Sequence, residues 1–408
     1  MSTRFVFAAL VGFLLVCGSG LQPATAAGAS EVPGGTPSAS TTVQTSELSD
    51  MPFSSAVDAL SEVPASERVR AASELSRLAL DDRNFDRAFA WAQFAAEEAA
   101  AERLHAQTGH TWLTLALIQD ARGELRDAIR SASVSARAFA RSGDPLSELE
   151  ALSIRARLEH RLGALVDGVE TASGIIERFG EQPLDERFRA DVLSNAAMMN
   201  FKLGRLSEVP GLLEAATPLY TALDDSDGLG TVYRIWGNYY GALDEPQEAI
   251  LYYERAGSRY RETGNIFDAA NVYFNTALML MQVDEYESAV SAFEEAMNGF
   301  TRAGSDSGVG MAATELTVAL WELERYDEAE TMIQSAIALL QASQSLRRLA
   351  RAYTILGTIY DALGSSDQAV EQLGNARNLY DELGLLDEAL NVQREMDRIG
   401  PEHRGGGI

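Results

Sequence analysis

Residues 232–256 read Val-Tyr-Arg-Ile-Trp-Gly-Asn-Tyr-Tyr-Gly-Ala-Leu-Asp-Glu-Pro-Gln-Glu-Ala-Ile-Leu-Tyr-Tyr-Glu-Arg-Ala. Two small residues, Gly237 and Ala249, stand twelve apart; Ala256 follows seven later, and a large ring, Tyr260, stands eleven after Ala249. Small residues at that interval fall on two consecutive helices and let their backbones approach closely, while the ring plugs the space beside them. Asp244 lies five residues before Ala249, where the chain must reverse, and Gly264 closes the second helix as a glycine cap does. The stretch reads as a helical hairpin.

Outward from it, the position of Ala249 recurs as Ala88, Ala128, Gly168, Val209, Ala249, Ala289, Ala329 and Ala369, in steps of 40, 40, 41, 40, 40, 40 and 40. Twelve residues before each stands a second small or short residue, from Ser76 in the first to Gly357 in the last. Eleven after each stands a plug, Ala99 in the first and Phe139, Phe179, Tyr220, Tyr260, Phe300, Leu340 and Tyr380 in the others. Gly123, Gly163, Gly204 and Gly364 take the place of Asp244, as do Asp284 and Glu324. A fixed period of this length marks an array whose core grows by adding units. Repeats 3 and 4 depart most from the template, with Gly168 and Val209 at the inner position and Glu159 and Asn200 where an apolar side chain is usual.

On these residues the chain resembles the tetratricopeptide repeat family, in its variant with a 40-residue unit; Val232 to Tyr240, Glu248-Ala249 and Ala256 carry the likeness most clearly. The resemblance implies an all-α fold: a right-handed superhelical solenoid of about eight antiparallel helical hairpins over residues 68–384, closed by a C-terminal capping helix at 385–400. Residues 51–67 are expected to supply a cap helix at the other end.

Composition agrees with a helical array and narrows the partners. The chain has 408 residues, 46% of them hydrophobic, and a formal charge of -27. Nucleic acid is not an expected partner, because a phosphate backbone needs a basic footprint, and the same charge argues against anionic membrane surfaces. Lys202 is the single lysine among 32 arginines, a skew read as coding bias or adaptation to a saline habitat before any binding role.

Residues 1–26 have the order of a secretory signal: Arg4, an apolar run from Phe5 to Val16, then Ala24-Thr25-Ala26. That run falls well short of the about 20 residues a membrane helix needs, so removal before Ala27 and no remaining transmembrane segment are expected. Cys17 follows Leu14-Leu15-Val16, and lipid anchoring there is the alternative. Residues 27–50, rich in Ser, Thr, Gly and Pro, are expected to be a flexible linker, and 401–408 a frayed tail. The expected location is the periplasm or the exterior of a bacterial cell.

A search for chemistry yields little. His105 and His110 are five apart and share no helix face, and no cysteine joins them. Gly228-Leu229-Gly230 and Gly308-Val309-Gly310 stand at the same phase of the repeat and read as helix starts, each preceded by Asp or Ser capping candidates. Acidic pairs such as Asp327-Glu328 read as solvated faces or helix N-terminal charges. No catalytic residue, cofactor or metal is expected, and the protein is expected not to be an enzyme.

In the family that the chain resembles, the first helix of each unit lines the concave groove. Counting by phase, this implies a groove containing Arg157, His160, Arg161, Met198, Phe201, Lys202, Arg234, Asn238, Asn271, Phe274, Met281, Trp321 and Arg351. Arg157, Arg161, Lys202 and Arg234 form a basic set able to receive a carboxylate; Phe274, Met281 and Trp321, with Leu278 and Val318, form an apolar set. The competing readings are that the basic set pairs with acidic neighbours across helices and that the apolar set is core. The expected function is an exported scaffold binding a peptide or helix of a partner protein, with a ligand- or peptide-responsive sensor acting through a partner as the alternative.

Overall fold

The computed structural model describes residues 45–180 and 183–400, and every regular element among them is helical. They fall into two compact bodies, one ending at Leu219 and one starting at Tyr220. In chain order, α1 (Thr45–Ser49) and α2 (Phe53–Leu60) precede four hairpins. These are α3 (Ala65–Asp81) with α4 (Phe85–Ala101), α5 (His105–Ala121) with α6 (Leu125–Ser142), and α7 (Pro145–Leu162) with α8 (Leu165–Glu177). In the fourth, α9 (Glu186–Lys202) is followed by a 3-10 turn and α10 (Val209–Ala222). Repeats 5 and 6 are α11 (Ser226–Ala242) with α12 (Pro246–Thr263) and α13 (Ile266–Gln282) with α14 (Tyr286–Arg302). Repeats 7 and 8 are α15 (Asp306–Glu322) with α16 (Tyr326–Ala342) and α17 (Leu346–Ala362) with α18 (Ser366–Glu382), before a final helix α19 (Leu386–Ile399). Within each body the chain forms the expected antiparallel hairpins.

The hairpin reversals work as the repeat pattern requires. Gly123, Gly163, Gly204 and Gly364 have φ between 71° and 83°, and Asp244, Asp284 and Glu324, at the same phase, have φ of 61°, 60° and 60°. A left-handed residue there turns the chain out of one helix and lets its N–H reach back to the preceding turn; glycine does so without strain, and aspartate is among the side chains that tolerate it. The two Gly-x-Gly segments are helix starts. Asp225 and Ser305 cap α11 and α15, accepting from Gly228 N at 3.0 Å and Gly308 N at 3.2 Å.

Packing explains the small residues. Ser76 donates to Ala88 O at 2.8 Å, which joins the two small positions of repeat 1 directly across the hairpin. In repeat 5 a Cβ on Gly237 would meet the Tyr253 ring at 2.5 Å, so only glycine allows that ring its place. The plugs Phe139, Tyr220, Tyr260, Phe300 and Leu340 are all buried. At the C-terminal end α19 lays Ala389, Val392 and Ile399 against Leu373 and Tyr380.

The N-terminal segment differs from expectation. The expected linker reaches residue 50, yet the chain is already helical at Thr45–Ser49, and Leu48 is buried with Ala56, Leu60, Leu75 and Trp91. Burial of that leucine gives an otherwise polar segment an apolar contact. Phe53 of α2 adds a ring contact, 4.6 Å between centroids, with Trp91. The signal at 1–26, the rest of the linker and the tail at 401–408 lie outside the described residues.

Candidate partner-binding surface

In the N-terminal body the irregular repeat opens a cavity. Helix α8 has 13 residues where α4 and α6 have 17 and 18, a loss of about one turn. The cavity lies between α7, α8 and α9, bounded by Ile154, Ala172, Ile175, Phe188 and Val192. Its polar edge is formed by Ser153, Arg157, Asp191 and Asn195, and its volume is about 250 Å³. That is far more than the share of about 30 Å³ a water occupies, and below the range of roughly 300–1,000 Å³ usual for drug-sized ligands. The space suits one large side chain better than a cofactor.

The connection after α8 is held in place from both sides. Arg178 grips Glu148 through both terminal nitrogens, at 3.1 and 3.0 Å. Arg189 donates to Phe179 O at 2.8 Å and places its guanidinium 5.6 Å from the centre of the Phe179 ring. The substitutions that break the template are also satisfied: buried Glu159 accepts from Arg155 at 2.7 Å and Thr171 at 2.9 Å, and Asn200 donates to Ala196 O at 3.0 Å. Gly168 makes room for Met199, whose sulfur would stand 2.5 Å from a Cβ there.

Of the basic residues, Arg157 lines the cavity and lies 3.9 Å from Asp120, a loose pair; Arg161 binds the same carboxylate more closely. The competing reading, pairing with acidic neighbours, therefore holds for Arg161 and only weakly for Arg157. His160 and Lys202 are half-buried in this body, and Met198 and Phe201 are buried. Arg234 belongs to the other body, where its Nε donates to the Tyr260 hydroxyl at 3.4 Å.

In the C-terminal body the expected apolar set is largely core, and that part of the expectation is corrected. Phe274, 2% exposed, packs edge to face on Phe293 at 5.6 Å, and Leu278 and Val318 are buried too. Every residue of α15 from Met311 to Leu320 is buried, so the neighbouring helices close over positions that an open groove would display. Met281 and Trp321 keep partial exposure, the latter 4.6 Å from Tyr326. Asn238, 1% exposed, accepts from the Tyr253 hydroxyl at 2.8 Å, and Asn271 donates to Phe267 O at 3.1 Å; both serve packing. Arg351 grips buried Glu315 with two nitrogens, Nη2 lying 2.8 Å from Oε2. Burial pulls the Arg351 guanidinium down, but the adjacent carboxylate outweighs that and holds it above its ordinary value.

Ser153 and Asp191 stand at phases assigned to the inner face, three and six residues before Ala156 and Ala197, yet were not singled out by sequence. Their only sequence signal was the break of period between repeats 3 and 4.

Tetratricopeptide repeat models match residues 268–342 and 350–376. Over these residues the chain carries tetratricopeptide repeats. Its fold is similar to the signal transduction ATPase PH0952 from Pyrococcus horikoshii, described as carrying a tetratricopeptide repeat sensor, with a TM-score of 0.59 and 14% identity over 84% of this chain and 55% of that one. It is also similar to the apo quorum sensor NprR from B. thuringiensis (TM-score 0.54, 15% identity, 71% of this chain and 82% of that one) and to apo RapI (0.54, 14%, 67% and 77%). No curated protein sequence matches the chain. At these identities the likeness establishes the fold.

Proposed function

We propose that this protein is an exported scaffold that holds a peptide or helix of a partner protein on the first-helix face of its repeats, seating one bulky apolar side chain of that segment between α7, α8 and α9. The observation that carries this reading is the cavity itself. Its lining is mixed, with Ile154, Ala172, Ile175, Phe188 and Val192 beside Arg157, Asn195, Ser153 and Asp191, which suits an apolar side chain flanked by polar backbone groups, and its volume is below the range usual for drug-sized ligands. Export rests on Arg4, the apolar run from Phe5 to Val16 and Ala24-Thr25-Ala26. None of the described helices is long and apolar enough to cross a membrane.

Two variants test the seat. Ala172→Phe fills the cavity with a ring, and Arg157→Glu reverses the charge at its edge. Burying a large apolar side chain is worth about 1.5–3 kcal/mol, so a partner captured from envelope extract by the immobilised full chain should bind roughly 10- to 150-fold more weakly to Ala172→Phe. Equal binding by the parent and by both variants, with helix content unchanged, would remove the cavity from the account.

A further inference from the structure

Two loops of the C-terminal body carry the same four positions 80 residues apart. Between repeats 5 and 6 these are Asp227, Thr263, Asn265 and Asp268; between repeats 7 and 8 they are Ser307, Ser343, Ser345 and Arg348. In the first loop the donors meet carboxylates. Thr263 donates to Asp227 at 2.6 Å, and Asn265 donates to Asp268 at 3.0 Å and toward Asp227 at 3.5 Å. In the second loop Arg348 Nη1 donates to Ser307 Oγ at 2.5 Å, Ser307 and Ser345 share a hydrogen bond of 2.5 Å, and Ser343 donates to Ser345 at 3.1 Å. The frame is repeated, but its two carboxylates are gone and a cation stands in place of one.

That exchange leaves an imbalance. A guanidinium has five N–H donors, and hydroxyl groups are weak counterparts for a charge. Among the described residues no acidic group lies within ion-pair distance of Arg348, although the chain carries a net charge of -27. Arg347 alongside is already paired, 3.3 Å from Glu388, so that carboxylate is engaged elsewhere. Half-buried Arg348 is held below its ordinary pKa by desolvation, with no acid to offset it.

We propose that Arg348, Ser307, Ser343 and Ser345 form a binding site for a carboxylate group supplied from outside the chain, in a loop that lacks the carboxylates its sister carries at Asp227 and Asp268. A planar carboxylate matches the fork of the guanidinium, and of Ser307 and Ser345, which share one hydrogen bond, one hydroxyl is left to donate to it. The carboxylate belongs either to an acidic side chain or to a chain terminus. The site lies on the opposite body from the cavity, and its test does not depend on that reading.

The test follows the Arg348 Nε–Hε resonance of the full chain, assigned by its loss in Arg348→Gln. N-acetylglutamate α-amide supplies a side-chain carboxylate and N-acetylglycine a terminal one. A saturable shift with either, tighter with the true source, is expected in the parent. In Ser307→Asp, where a carboxylate is placed at the position of Asp227, the affinity should fall at least about tenfold because the site is filled from within. In Arg348→Lys, which keeps the charge and loses the fork, the affinity, read there and in the parent on the Ser345 backbone amide, should also weaken. No saturable shift with either probe, or the same shift in Ser307→Asp as in the parent, overturns the proposal.

Discussion

Gly237→Val is expected to destabilise the C-terminal body by about 3 kcal/mol, the upper end of what overpacking a filled core costs, whereas Gly257→Ala in the next helix is expected to stabilise it by about 0.5–1 kcal/mol. Both glycines are buried in helices of repeat 5, so helix propensity favours replacing either. What separates them is the neighbour. A Cβ at 237 would stand 2.5 Å from the Tyr253 ring, while one at 257 would meet nothing nearer than Val272 at 3.6 Å, an ordinary contact. The Tyr253 ring has no room to retreat, because it is wholly buried and its hydroxyl is tied to Asn238 at 2.8 Å. Valine adds two methyl groups to a space already closed to one carbon. Urea unfolding midpoints of the two variants should move in opposite directions; movement in the same direction would mean that the small positions do not govern how closely the helices approach.

Arg351→Ala is expected to cost about 3–5 kcal/mol, as removal of one partner from a buried ion pair does. The Glu315 carboxylate, 7% exposed, would be left charged in a site that water scarcely reaches. Replacing both, Arg351→Met with Glu315→Leu, should recover most of the loss, because the pair then leaves no uncompensated charge. The comparison is made by chemical denaturation of the parent, the single variant and the double variant. A double variant as unstable as the single one would show that the pair is itself a source of stability rather than a charge that must be matched.

These two sites mark where sequence was informative and where it fell short. Position-by-position recurrence revealed the hairpins, because Gly237 and Ala249 obey a backbone distance that each repeat must respect, and Asp244 and Glu324 could be recognised as turn residues from the glycines at the same phase. Phase counting placed Phe274, Leu278 and Val318 on the groove face, where the structure buries them. It did not reveal how tightly neighbouring first helices close on one another. Phe274 and Val318 have the phase of groove residues and lie in the core, because α15 is covered on all sides from Met311 to Leu320. Arg351 reads as a groove cation until Glu315, 36 residues earlier, is found against it. The cavity was hidden for a related reason: its lining comes from three helices, α7, α8 and α9, whose spacing no single phase position records. Short helix α1 escaped because one leucine, Leu48, decides whether a polar segment packs.

The most direct test of the proposed scaffold is selection of peptides from a random displayed library on the full chain, repeated on Ala172→Phe. Enrichment of a short consensus containing one bulky apolar residue is expected on the parent, and loss of that residue from the sequences retained by the variant. No enriched consensus on the parent, or the same consensus on both proteins, would contradict it.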